Sequence, residues 1–62
     1  MPIINVTLIE GRTPEVKRAL IQELTDAAER ATGVPKSAVR VIIWEVPAAN
    51  FAVAGVPKSE SP

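Results

Sequence analysis

TPEVKRALIQELTDAAERATG, residues 13–33, carries the start, middle and stop signals of one amphipathic helix. Thr13 suits an N-cap, Pro14 the first helical position, and Glu15 the first turn, where the helix dipole favours an acid. Val16, Leu20, Leu24, Ala27 and Ala31 recur at spacings of three and four, and Ile21 and Ala28 widen the apolar stripe. Gly33, followed by Val34 and Pro35, stops the helix.

The segments on either side are strands. PIINVTLIEG, Pro2 to Gly11, places Ile4, Val6 and Leu8 on one face and the mixed set Ile3, Asn5, Thr7 and Ile9 on the other. SAVRVIIWEV, Ser37 to Val46, is rich in β-branched residues and ends at Pro47. Two strands joined by a crossover helix pair in parallel with right-handed connection. The fold class is therefore α/β, a single βαβ unit over residues 1–62. NFAVAG, residues 50–55, is compatible with a short C-terminal arm or a hairpin, and VPKSESP, residues 56–62, reads as too polar and proline-rich to pack by itself.

A 62-residue chain buries only about 60% of the surface its unfolded form exposes. Such small cores are usually reinforced by disulfides, a metal or partner subunits, and with no Cys and no His the first two routes are essentially closed. The 47% hydrophobic content exceeds what so small a globule can hide, and a two-stranded parallel sheet leaves two unpaired edges. Both features predict an obligate oligomer. The net charge of +0 supplies no broad field for nucleic acid or an anionic membrane. No apolar run approaches the roughly 18 residues of a membrane span, and the N-terminus lacks signal-peptide features. The expectation is a soluble cytoplasmic protein.

The absence of His and Cys excludes a His-based triad, a thiol nucleophile and a soft metal site. Glu15, Glu23, Asp26 and Glu29 lie on the helix among Lys17, Arg18 and Arg30 and read as a solvated face. Glu10 and Glu45 have no sequence-local partner for paired-carboxylate chemistry. Three other residues stand out. Pro2 is either a strand starter, where its missing N–H costs nothing, or, once Met1 is removed, a rigid secondary amine able to act as base or nucleophile. Arg40 interrupts the apolar run Val39–Ile43, and Arg12 follows the turn at Gly11. Alone, the first reads as an edge-strand charge and the second as a turn residue. Converging on one pocket, two guanidiniums would suit a substrate with two carboxylates, or with a carboxylate and an enol oxygen. At roughly 3.3 Å per strand residue, Pro2 and Arg12 stand on the order of 30 Å apart in one chain, so a site using both lies between subunits.

The MP start, LIEGR at Leu8–Arg12, the helix, SAVRVII at Ser37–Ile43, and Phe51 together resemble the 4-oxalocrotonate tautomerase family, small enzymes with an N-terminal catalytic proline. The resemblance covers nearly the whole chain. It implies an isomerase without a cofactor or metal, acting on small enol and keto acids such as 2-hydroxydienoates and associated with aromatic degradation. It makes Pro2 the general base that moves a proton between carbons. Arg12 would bind a carboxylate and Arg40 would polarise the carbonyl or enol oxygen. The backbone N–H of Ile9 would help through a water, and Phe51 would keep the pocket apolar. It further implies a homohexamer, a trimer of dimers, in which Arg12 and Arg40 reach Pro2 from other subunits.

The sequence departs from the family pattern in its tail, where Ala52 and Ala54 occupy places usually held by glycine, and a positive φ there is costly for Ala. Trp44 reads as core or interface in preference to pocket wall. Two other readings compete. Hydrolytic dehalogenation of 3-haloacrylates, known among relatives, calls for a carboxylate where this chain has Val53. A non-catalytic assembly module would use Pro2 only to start a strand.

Overall fold

In the computed structural model, which describes residues 1–61, strand β1 (Ile3–Ile9) leads into helix α1 (Pro14–Thr32) and back into strand β2 (Arg40–Val46). β1 and β2 pair in parallel, from Ile3 opposite Arg40 to Ile9 opposite Val46. Helix α1 forms for the reasons its sequence announces. Thr13 is extended and its hydroxyl accepts from the Val16 N–H at 3.2 Å. Gly33 adopts φ 79° and donates to the Glu29 carbonyl at 2.9 Å. No helix among the described residues is long and apolar enough to cross a membrane.

The sheet has two unlike faces. The Lys17 ammonium on α1 meets the Glu45 carboxylate at 3.0 Å, so Glu45 and, by alternation, Val41 and Ile43 face the helix with Ile4, Val6 and Leu8 beside them. Ile4, Val6, Leu8, Val41 and Ile43 are half-buried. The opposite face carries Ile3, Asn5 and Thr7 with Arg40, Ile42 and Trp44, all exposed, and the Trp44 indole N–H donates to Asn5 Oδ1 at 3.1 Å. Trp44 is 57% exposed, which removes it from the protomer core.

The helix stripe is only partly used. Leu20, Leu24 and Ala28 are half-buried, whereas Val16, Ile21, Ala27 and Ala31 remain exposed. The reason is width, since two strands about 4.8 Å apart offer a platform no broader than a helix of roughly 10 Å diameter. No described residue is fully buried. The accessible surface is 4583 Å², against roughly 3,900 Å² for a compact monomer of 6.6 kDa. The radius of gyration is 14.5 Å, against about 10.6 Å for a compact chain of 62 residues.

Three boundaries differ from the sequence expectation. β1 covers Ile3–Ile9 within the expected Pro2–Gly11. β2 begins at Arg40, because Lys36–Ala38 form a 3₁₀ turn started by Pro35, and pairing begins only where the Pro2 carbonyl accepts from the Arg40 N–H at 2.9 Å. In the tail, two-residue strands β3 (Ala52–Val53) and β4 (Val56–Pro57) make an antiparallel hairpin. So Val56 and Pro57 pair, although their segment reads as unable to pack by itself. The hairpin is flanked by 3₁₀ turns at Ala48–Asn50 and Lys58–Glu60, and the Lys58 N–H closes the arm on the Phe51 carbonyl at 2.7 Å. Its turn has φ 54° at Ala54 and 82° at Gly55. The strained alanine is thus Ala54, while Ala52 sits in ordinary strand. Pro62 lies outside the described residues.

Candidate active site

The parallel ladder divides the candidate residues between the two ends of the sheet. At one end, Pro2 is half-buried, and its carbonyl is bound to the Arg40 N–H of the same chain. The Arg40 side chain is exposed on the open face of the sheet, with Nη1 donating to the Ser37 carbonyl at 2.8 Å. Among the described residues that contact leaves most of the guanidinium's donors without a partner. Met1 precedes Pro2 and is 77% exposed. While Met1 is attached, the Pro2 nitrogen is an amide without basicity.

The other end holds Ile9 and Arg12, and the chain beyond it carries Phe51 into the C-terminal arm. Arg12 is exposed in the loop between β1 and α1, just after Gly11 at φ 121°, a conformation that requires glycine. Its guanidinium makes no ion pair among the described residues. Phe51 is half-buried and follows the turn after β2, which ends beside Ile9. The seven residues of β1 separate Ile9 from Pro2 by about 23 Å of strand.

Ile9 contributes backbone. The Glu10 N–H donates to the Val46 carbonyl at 2.9 Å, and the Pro2 carbonyl accepts from Arg40 at the other end of the ladder. In a parallel ladder alternate residues of a strand bond to the neighbour, so even-numbered residues of β1 face β2. The N–H groups of Ile3, Asn5, Thr7 and Ile9 therefore point to the free edge of the sheet. The described residues enclose no pocket.

Two residues to which the sequence assigns no partner meet in the fold. Lys17, assigned to the solvated helix face, pairs with Glu45, which lies 28 positions away. A weaker cue was available: an acid following Trp44 at the end of an apolar strand is out of place. A second pair, Lys36 with Asp26 at 3.2 Å, ties the turn before β2 to the helix.

A family model described as tautomerase enzyme matches residues 2–61, beginning at Pro2. The chain belongs to the tautomerase family. Among curated relatives, a probable tautomerase of Ralstonia nicotianae is 66% identical over 59 residues, covering 95% of this chain and 84% of the relative. A probable tautomerase of Staphylococcus saprophyticus is 47% identical over 60 residues, covering 97% and 98%. Solved tautomerase structures share the fold. A 4-oxalocrotonate tautomerase homologue of the tomaymycin biosynthetic pathway superposes with a TM-score of 0.94 at 46% identity, covering 95% of this chain and 91% of its own. A heterohexameric 4-oxalocrotonate tautomerase from Chloroflexus aurantiacus gives 0.95 at 39% identity, with both chains covered completely.

Proposed function

We propose that this tautomerase interconverts enol and keto forms of small unsaturated acids, 2-hydroxydienoates among them, with the free amine of Pro2 as general base after removal of Met1. The observation that carries the reading is the division of the candidate residues. Pro2 and Arg40 lie at one end of β1, Ile9 and Arg12 lie at the other, and the edge between them is open. Antiparallel pairing of two such edges would bring the Arg12 end of one copy beside the Pro2 of another.

In the proposed reaction the amine takes a proton from the substrate and becomes a secondary ammonium. In the ketonising direction that proton leaves the enol hydroxyl, the oxygen's electron pair forms the carbonyl and displaces the conjugated π electrons onto a carbon of the chain, and the ammonium returns the proton to that carbon; enolisation runs the same steps in reverse. Substrate and product have the same composition, so no cofactor is needed. Arg40 stabilises the oxygen that gains charge, Arg12 holds a carboxylate, the Ile9 N–H assists through a water, and Phe51 excludes solvent. Cationic neighbours and an apolar wall both disfavour the ammonium and leave the amine available near neutrality.

Assembly as a homohexamer, a trimer of dimers, would complete each site, with the side chains of Arg12 and Arg40 reaching Pro2 from other subunits. It would also cover the exposed apolar residues of the open sheet face, the helix and the hairpin. The test is the rate of ketonisation of 2-hydroxymuconate by protein whose intact mass shows that it begins at Pro2. Catalysis well above the buffer rate supports the reading. A properly assembled, Met1-free protein that leaves the rate at the buffer value favours the assembly-module alternative.

A further inference from the structure

Arg12 sits between two fixed points. On one side the Glu10 N–H is held by the Val46 carbonyl at 2.9 Å. On the other, the Thr13 carbonyl accepts from the Lys17 N–H at 3.1 Å. The Lys17 ammonium then reaches 3.0 Å to the carboxylate of Glu45, the residue before Val46. These contacts close a ring: Val46 to Glu10, along the chain through Gly11 and Arg12 to Thr13, across to Lys17, and back through Glu45 to Val46. Only Gly11 and Arg12 span the gap between the anchored residues. Gly11 is the residue most able to rotate, and Arg12 has no ion pair within the described residues to orient it. The two charged side chains that shut the ring are 29% and 33% exposed, so each is only partly accessible to solvent.

We infer that the Lys17–Glu45 ion pair is a positioning device for Arg12. It locks the start of α1 to the end of β2 and so fixes the base from which the guanidinium reaches a substrate carboxylate. The inference rests on the proposed carboxylate-binding role of Arg12. Neither Lys17 nor Glu45 touches substrate in this account. Opening the ring lets the Gly11–Arg12 peptides sample more conformations, and binding must then order them again. The loss falls on ligands that use Arg12 and spares ligands that do not.

The test compares two six-carbon dienoates that cannot undergo the enol reaction: muconate, with a carboxylate at each end, and sorbate, with one. Dissociation constants are measured by calorimetry on the assembled protein beginning at Pro2. The variants are Lys17→Met, which keeps an apolar stem and removes the charge, Glu45→Gln, which breaks the same pair from the other side, and Lys17→Arg, which retains it. Met and Gln should each weaken muconate roughly three- to fivefold, the range expected of a partly exposed ion pair. Sorbate should be unchanged, and Arg should restore muconate binding. Amide exchange across residues 10–13 should quicken in the first two variants only.

If wild-type protein binds muconate no better than sorbate, the role of Arg12 fails and takes the inference with it. If wild type prefers muconate and both Lys17→Met and Glu45→Gln keep that preference in full, Arg12 stands and the positioning device is refuted. Equal weakening of both ligands, unchanged exchange at residues 10–13, or loss of assembly in both charge-removing variants would mark the pair as a general fold element and overturn the inference.

Discussion

Arg12 and Arg40 carry the same charge and are both exposed, yet their surroundings differ. The Arg40 guanidinium is tied to the Ser37 carbonyl, whereas that of Arg12, at the far end of the sheet, makes no ion pair among the described residues. Their proposed roles differ accordingly, and so should their variants. Arg12→Ala should raise KM for a dicarboxylate dienol roughly ten- to hundredfold, the loss expected for a charge-assisted hydrogen bond, with a smaller change in kcat. Arg40→Ala should lower kcat by about a hundredfold, because its partner gains charge in the transition state. Steady-state kinetics on assembled variants checks both; full kcat/KM in each would remove the arginines from the site. Both arginines are legible in the sequence because a charge breaks an apolar or turn pattern. The Lys17–Glu45 pair is not, since Lys17 looks ordinary on a charged helix face, the out-of-place acid at Glu45 names no partner, and their meeting depends on how the helix lies on the sheet. The Ile9 N–H enters the sequence reading only through the family resemblance, because alternation tells which face a side chain takes and not which edge a backbone group faces.

At the scale of elements, α1 is the part most fully written in the sequence. Its cap, its first-position proline and its terminal glycine each satisfy a local requirement that needs no tertiary partner. The start of β2 is less local. Ser37 to Val39 have no obvious strand-breaking residue, but β1 offers its first acceptor only at Pro2, and pairing cannot begin before Arg40. The hairpin depends on its turn. Two consecutive residues at positive φ joining two-residue strands suit a type I′ turn, which favours Asn or Gly at the first position. Ala54 at φ 54° opposes that preference. Ala54→Gly should therefore stabilise the assembled protein by about 0.5–1 kcal/mol, the relief of left-handed strain less the extra freedom of the unfolded chain. Thermal unfolding at fixed protein concentration reads this as a higher midpoint. A lower midpoint would mean that the turn contributes nothing through its backbone geometry.

For the whole molecule, the βαβ architecture was legible from periodicity, but the extent of its incompleteness emerges only in three dimensions. The protomer measures 42 × 24 × 14 Å, has no fully buried described residue, and exposes Ile3, Ile42 and Trp44 on the sheet, Val16 and Ile21 on the helix, and Val53 and Val56 on the hairpin. A chain that covers so little of its own apolar surface should have no stable folded monomer, and its folding should depend on concentration. Sedimentation at micromolar concentration is expected to show one oligomer and no folded monomer. A folded, active monomer would falsify the division of the site between copies. On the proposed mechanism, assembly and chemistry separate at one atom, the nitrogen of Pro2. The most direct test measures the pH dependence of 2-hydroxymuconate turnover for the chain beginning at Pro2, beside a chain with one extra residue before it and a chain that retains Met1. An ordinary α-amino group titrates at about 7.7 to 8.0, and the cationic, apolar surroundings proposed for Pro2 lower that value. The chain beginning at Pro2 should gain activity as pH rises, with its rising limb below that range, while both extended chains sediment as the same oligomer and lose turnover. If either extended oligomer turns over substrate as fast as the chain beginning at Pro2, the proline only starts a strand and the catalytic account is contradicted.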